Sequence, residues 1–271
     1  MSADLHIHTR ASDGRFTAAE VVKKAQKKGL TIISVTDHDT VSGMESALNS
    51  ARSEEIEVIP GVEINTEFMG EDVHILGYFI DIQSKILLRT LTGIVESRKE
   101  RAKKIIQNMQ QDGIEVEFGE LQDIVTGDIY SRSHIAELLN KKNIVSDYEA
   151  AFDRYIHKDS PYYVGRYYIS VEKAISVIKE AGGLTVLAHP GKIVNRNDVI
   201  LRLIEMGVDG LEVYYPEHSS SVTAELKSLA QKNDLLITGG SDYHGLDKRE
   251  KNKLGSVKLR DKHISEMRNR L

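Results

Sequence analysis

The 271-residue chain has no cysteine and only four prolines. Without cysteine there can be no disulfide, no thiolate zinc site and no cysteine nucleophile. Long apolar runs are missing as well. None approaches the roughly 20 residues that a membrane-spanning helix needs. The opening MSADLHIHT enters a strand-like pattern at once and lacks the basic and then apolar regions of a signal peptide, so a cytoplasmic protein is expected. There is no excess of positive charge: 36 Lys and Arg stand against 41 Asp and Glu, for a net charge of −5. Coating of DNA or other long nucleic acid by bulk electrostatics is thereby disfavoured, although a local basic pocket is still allowed. Internal repeats and low-complexity tracts are absent too.

What remains is the composition of an ordinary globular protein, 40% hydrophobic and 28% charged. Its length suits one full-sized core of the barrel or sandwich kind, with an elaboration. Strand-like runs fall at 4–8, 30–37, 57–65, 73–80, 184–188, 210–215 and 235–239. Helical periodicity fills 17–28, 41–53, 171–181, 198–206 and 222–232. The first of these helices carries Thr17 as N-cap, Glu20 three residues on and Gly29 beyond its end. Strands that alternate with crossover helices predict parallel pairing, and seven are close to the number that closes a barrel. Between the two β-rich parts lies a block with almost no strand signal. A long basic amphipathic helix at 86–109 is followed by shorter ones at 118–125, 134–142 and 148–156, and the segment SPYYVGRYY closes the block. The expected organisation is an α/β barrel in two parts, 1–94 and 169–271, with an inserted small helical domain at 95–168 that caps the substrate.

The strongest local signal is His6-Ile7-His8. Residues i and i+2 of a strand share a face, so both imidazoles converge on one side. Asp242-Tyr243-His244 repeats the arrangement after the last strand run. Asp13, His38, Glu63, His74 and His189 lie in or just after other strand runs, and nearly all nine groups stand at or beyond C-terminal strand ends. Parallel barrels build their chemistry on that face. A lone histidine at a strand end is more often a satisfied polar residue than a ligand, but nine groups at equivalent places are not dismissed that way. Imidazole and carboxylate donors suit zinc, manganese or iron, and this many are about right for two or three divalent ions.

DLHIHT, TDHD, GVEI, AHP and GSDYHG, in this order along the whole chain, resemble the motifs of the PHP (polymerase and histidinol phosphatase) family of metallohydrolases. The resemblance implies a distorted, TIM-like seven-stranded barrel and a two- or three-metal site with a metal-bridging hydroxide. It makes His6, His8, Asp13, His38, Glu63, His74, His189, Asp242 and His244 the ligands, with Glu63 as the bridging carboxylate. Glu63 and Asp242 would then serve catalysis through the ions, and His189 or His218 is a candidate proton donor. Asp37 and Asp39, which flank His38, read as supporting or capping groups.

The inserted block gathers cations: Arg98, Lys99 and Arg101 on the long helix, Arg132 beside His134, and Lys158. Arg and Lys are the usual partners of phosphate oxygens. For most of these charges a solvated helix face is the simpler reading. Arg132-Ser133-His134 is the exception, because it stands at an expected helix start, where free N–H groups favour anions. The insertion is similar to that of the PHP subgroup acting on nucleoside 3′,5′-bisphosphates or the 5′ ends of short RNA. The resemblance points to Arg132 and His134, and to His218 in a further matching loop; with Arg98, Lys99 and Lys158 from the gathered cations, these are the candidate substrate contacts. The alternatives are a histidinol-phosphate-type phosphatase, a C–N amidohydrolase, and a non-catalytic module that has lost its ligands. The intact donor set argues against the last.

Overall fold

The computed structural model describes residues 2–245, 252–257 and 259–271. Seven strands form one sheet in sequence order: β1 (Ala3–Ile7), β2 (Ile32–Val35), β3 (Glu57–Phe68), β4 (Glu71–Tyr78), β5 (Leu184–Leu187), β6 (Gly210–Tyr214) and β7 (Leu236–Gly239). The sheet curls almost into a barrel. Just past β7, Tyr243 bridges Ile7 in parallel, and the His8 N–H donates to the Tyr243 carbonyl at 2.9 Å. This approach requires Gly240, since a Cβ there would collide with the backbone and Cβ of His6.

The pairing departs from the all-parallel expectation at one strand. β4 runs antiparallel to both β3 and β5. A parallel return needs a crossover of a dozen or more residues. β3 and β4 are instead joined by Met69 and Gly70 alone, both at positive φ, the backbone of a tight hairpin turn.

Helices cover the outside. α1 (Ala18–Lys27), whose Thr17–Glu20 capping box is formed, and α2 (Met44–Glu54) bury their apolar stripes against Ile7, Ile33, Val35 and Val58. α3 (Lys85–Gln111) has two partners. Leu87, Leu91 and Ile94 pack on the sheet side, with α7 (Val171–Glu180), α8 (Arg196–Glu205) and α9 (Ser220–Lys232) in the same cluster. Its later residues Ala102, Ile105, Ile106 and Met109 enter a separate core with α4 (Phe118–Ile124), α5 (Arg132–Lys141) and α6 (Tyr148–Ala151). The 148–156 run is thus not one regular helix, because α6 passes into a π-helical turn at Phe152–Ile156. A last helix, α10 (Asp261–Arg270), buries Ile264 and Met267, too few apolar positions to announce it in the sequence. None of the helices among the described residues is long and apolar enough to cross a membrane.

Candidate metal centre

Period-2 alternation sends His6 and His8 of the β1 segment, Glu63 of β3 and His74 of β4 to one place. Glu63 is its hub and is fully buried. Its Oε2 lies 3.2 Å from His6 Nε2, 3.2 Å from His8 Nε2 and 3.0 Å from His38 Nδ1. Its Oε1 lies 2.9 Å from His74 Nδ1 and 3.1 Å from His189 Nε2. His74 sits early in its strand, not at a C-terminal end, yet it reaches the same rim. The reversal of β4 explains this, since it places His74 opposite Asn65 near the far end of β3.

Three groups of donors within 4.8 Å of one another overlap here: His8, Asp13, His38 and His244; His6, His8, Glu63 and Asp242; and His38, Glu63 and His74. Each pair of groups shares one residue, His8, Glu63 or His38, so the three form one continuous cluster. The donor atoms also fit cations better than they fit one another. Glu63 Oε2 and His8 Nδ1 are buried without a hydrogen-bond partner, and His6 Nε2 faces His8 Nε2 at 3.1 Å. Buried polar atoms left this way are costly unless a cation satisfies them.

Around the donors stand residues that aim them. Glu212 of β6, fully buried, accepts from His6 Nδ1 at 3.0 Å and from the His189 N–H at 2.7 Å. The first bond turns the Nε2 lone pair of His6 toward the cluster. Asp242 directs Oδ1 at His8 Nε2, 3.1 Å away, while Oδ2 accepts from the Tyr215 hydroxyl at 2.9 Å and lies 3.4 Å from Lys192 Nζ. Asp37 accepts from the Thr9 N–H, the Thr9 hydroxyl and the Ser12 hydroxyl, fixing the loop that carries Asp13. Asp39 accepts from Asn65 and pairs with Arg98. Asp39, His189 and Asp242 all adopt positive φ where the chain leaves a strand. Such strain in non-glycine residues gathers where surrounding structure over-determines a functional geometry.

The electrostatics follow from this crowding. For His6, burial, which lowers its pKa, is overcome by Glu212, Glu63 and Asp242, and the net shift is well upward. For His8 burial likewise lowers, but Asp242 and Glu63 push it up to about 10. Glu63, Asp242 and Asp13 are all held below the usual carboxylate range; burial raises each, and the neighbouring histidines outweigh it. His38 and His189 are lowered, chiefly by burial, and so stand ready as neutral donors.

A cation must displace the protons on His6 and His8, so metal affinity should rise with pH and loading should release protons. Metal-free protein should behave in the opposite sense. A histidine with a raised folded pKa contributes stability that is complete below its ordinary value of 6.5 and is lost, for His8, as pH rises through about 10. The depressed carboxylates are ionised throughout that window and contribute no slope. Chelated protein should therefore melt at falling temperatures between about pH 7 and about pH 10, while the gap to manganese-saturated protein widens. Paired thermal melts check this, and a flat chelated profile would contradict the proposed protonation.

A cavity of 490 Å³ opens over the cluster. His38, His74, His189, Asp242 and His244 line it, and so do the cations Arg98, Arg132, Lys158, Arg166 and Lys192, with the carboxylates Glu71 and Asp72 among them. Arg132 is the first residue of α5, which Ser131 caps, in keeping with the helix start expected there. Arg98 reaches the cavity already paired with Asp39, and Arg101 is buried with its Nε donating to the Val164 carbonyl, so neither belongs to a solvated helix face. Lys99 does not line the cavity. His134 spends Nδ1 on its helix cap, accepting from the Ser131 N–H at 3.3 Å. His218 has both ring nitrogens engaged, Nδ1 with the Val213 carbonyl at 3.0 Å and Nε2 with the Gly191 N–H at 3.1 Å. That is the geometry of a residue positioning the turn after His189, different from the task of proton donor expected of it.

Sequence reasoning passed over Glu212, Asn65, Arg166, Lys192 and Phe152. Glu212 carried a usable signal, a single carboxylate within the apolar strand GLEVY. Arg166 and Lys192 lie outside regular strands and α-helices, where no periodicity assigns a direction.

Comparison with known proteins agrees with this geometry. The PHP domain model matches residues 4–175. The chain is 33% identical over 246 residues to a 3′,5′-nucleoside bisphosphate phosphatase of Chromobacterium violaceum, covering 89% of this chain and 86% of that protein. It is 32% identical over 247 residues to a 5′-3′ exoribonuclease of Escherichia coli, covering 89% and 84%. The crystal structure of a Bifidobacterium adolescentis protein inferred to be a metal-dependent phosphoesterase superposes with a TM-score of 0.90 at 29% identity, over 99% of this chain and 96% of that one. With metal donors converging where the strands end and a family match over more than half of its length, the chain belongs to the PHP-domain family and is a metal-dependent phosphoesterase.

Proposed function

We propose that the chain hydrolyses phosphate esters of nucleotides that carry a second phosphate, either nucleoside 3′,5′-bisphosphates or the 5′ ends of short RNA. The observation that carries this reading is the lining of the cavity. Metal donors share its wall with Arg132, Lys158 and Arg166, in a chain whose net charge is −5. Arg166 and Lys158 also face Asp72 on the cavity wall, so a single phosphate over the donors would leave Arg132 as the cation without an anionic partner. Arg132, unlike Arg98, has no ion-pair partner among the described residues.

The nine predicted donors, Glu63 among them, would hold two or three divalent ions, and ions bound there would supply hydroxide near neutral pH and polarise the phosphoryl oxygens. The protein's own part is orientation. Glu212 aims His6 and tethers the backbone of His189, and Tyr215 and Lys192 hold the outer oxygen of Asp242. The helical block at 95–168 acts as the cap that brings Arg132 and Lys158 over the site. Lysine carboxylation of the amidohydrolase type is not favoured, because Lys192 is engaged with Asp242 and the central place belongs to Glu63.

A phosphate-release panel across amino-acid phosphates, mononucleotides, nucleoside bisphosphates and 5′-phosphorylated oligoribonucleotides, run on protein of measured metal content, tests this. The two-phosphate substrates should be preferred, and chelation should abolish turnover until manganese is restored. Preference for an amino-acid phosphate would refute the nucleotide reading.

A further inference from the structure

Outside the cavity, a second depression of 510 Å³ lies between α3 and the 167–173 segment. Arg89, Gly93, Ile94 and Ser97 of α3 line one side, and Tyr167 and Lys173 stand on the other. We infer that this groove binds the nucleotides of a single-stranded RNA that follow the one held in the cavity. The inference rests on the nucleotide reading above and decides within it for an oligoribonucleotide.

Three features point to that occupant. The first is its chemistry. Tyr167 is 59% exposed, an unusual cost for a large ring and a ready platform for a base. The cations Arg89 and Lys173 line the same groove and no carboxylate does, which suits a phosphodiester backbone. Gly93 adds open space, since nothing stands within 4 Å of where its Cβ would be.

The second is continuity. Ser97 of the groove adjoins Arg98 of the cavity on α3, and Tyr167 of the groove adjoins Arg166 of the cavity. The 165–168 segment lacks regular structure, and its residues alternate, Arg166 half-buried toward the cavity and Tyr167 exposed toward the groove. Gly165, just before them in the chain, is exposed and has open space at its Cβ. The third is reach. From Ser97 to Arg89 the helix rises about 12 Å, enough for a short stretch of nucleotide chain beyond the cavity.

The test separates this groove from the cavity. Tyr167→Ala and the double variant Arg89→Ala/Lys173→Ala, both at surface positions, are compared with wild type on a 5′-phosphorylated pentaribonucleotide and on a nucleoside 3′,5′-bisphosphate. Manganese-loaded Tyr167→Ala should lose roughly tenfold in kcat/KM on the pentamer and change little on the bisphosphate, and Tyr167→Phe should restore the pentamer rate. Pentamer binding to chelated protein, followed by fluorescence anisotropy, gives a readout without turnover. There the double variant should weaken affinity and flatten its salt dependence. Wild-type pentamer kinetics in Tyr167→Ala, or pentamer affinity unchanged in both variants, overturns the groove. If wild type hydrolyses neither substrate but binds the pentamer through Tyr167, the groove stands and the nucleotide-hydrolase reading fails.

Discussion

Glu63→Gln should reduce turnover by at least roughly a hundredfold and lower the bound metal, while leaving the barrel folded. The carboxylate places its two oxygens between five imidazoles, with His6, His8 and His38 on one side and His74 and His189 on the other. Glutamine keeps the volume but offers one acceptor where two are needed, and its NH₂ group would face histidine lone pairs. The cost should therefore fall on the cations that Glu63 would help to hold. The fold should persist, because the surrounding clusters of apolar side chains do not depend on this group. Elemental analysis, circular dichroism and kcat on the same preparation separate the effects. Wild-type turnover would remove Glu63 from its central role, and an unfolded variant would show that the carboxylate serves stability first.

Arg132→Ala should cut kcat/KM for a two-phosphate nucleotide by roughly 2 kcal/mol, about thirtyfold, the scale of a charge-assisted contact in a partly dry site. The guanidinium stands at the start of α5, 5.9 Å over the ring of Phe152, and lines the cavity. Stacking on a ring while facing an open volume leaves its donors available to a ligand. A generic monophosphate ester lacks the second phosphate, so its hydrolysis should change far less, and metal content should not change at all. Equal losses on both substrates would show that Arg132 serves the cleaved phosphate or the fold. Arg166 makes a useful comparison. Its guanidinium also donates to Asn65 Oδ1 at 3.3 Å, and Asn65 in turn lies 3.2 Å from His38 Nδ1. Removing Arg166 should therefore disturb a donor as well as the substrate, and affect both ester types.

The metal donors were legible in the sequence because strand periodicity is local. His6 and His8 share a face whatever else the chain does, and Asp242 and His244 follow the same spacing just beyond a strand. The Thr17 cap of α1 was legible for a like reason, since it is set by residues three apart. Helical periodicity and the lack of strand signal likewise announced the run of helices from α3 to α6. Only the tertiary structure decided how these pieces meet. The direction of β4 depended on a two-residue hairpin turn, and that reversal brought His74 to the rim from the beginning of its strand. The fate of each cation was also a matter of folding. Arg98 met Asp39, 59 residues away in the chain, and Arg101 met the Val164 carbonyl, while Arg132 was left facing the cavity. Glu212 acquired its role from His6, 206 residues distant. Spacing within one strand or helix turn is dictated by backbone geometry and can be read from the residues themselves. A contact across the barrel is dictated by which strands become neighbours and in which direction, and no local pattern encodes that.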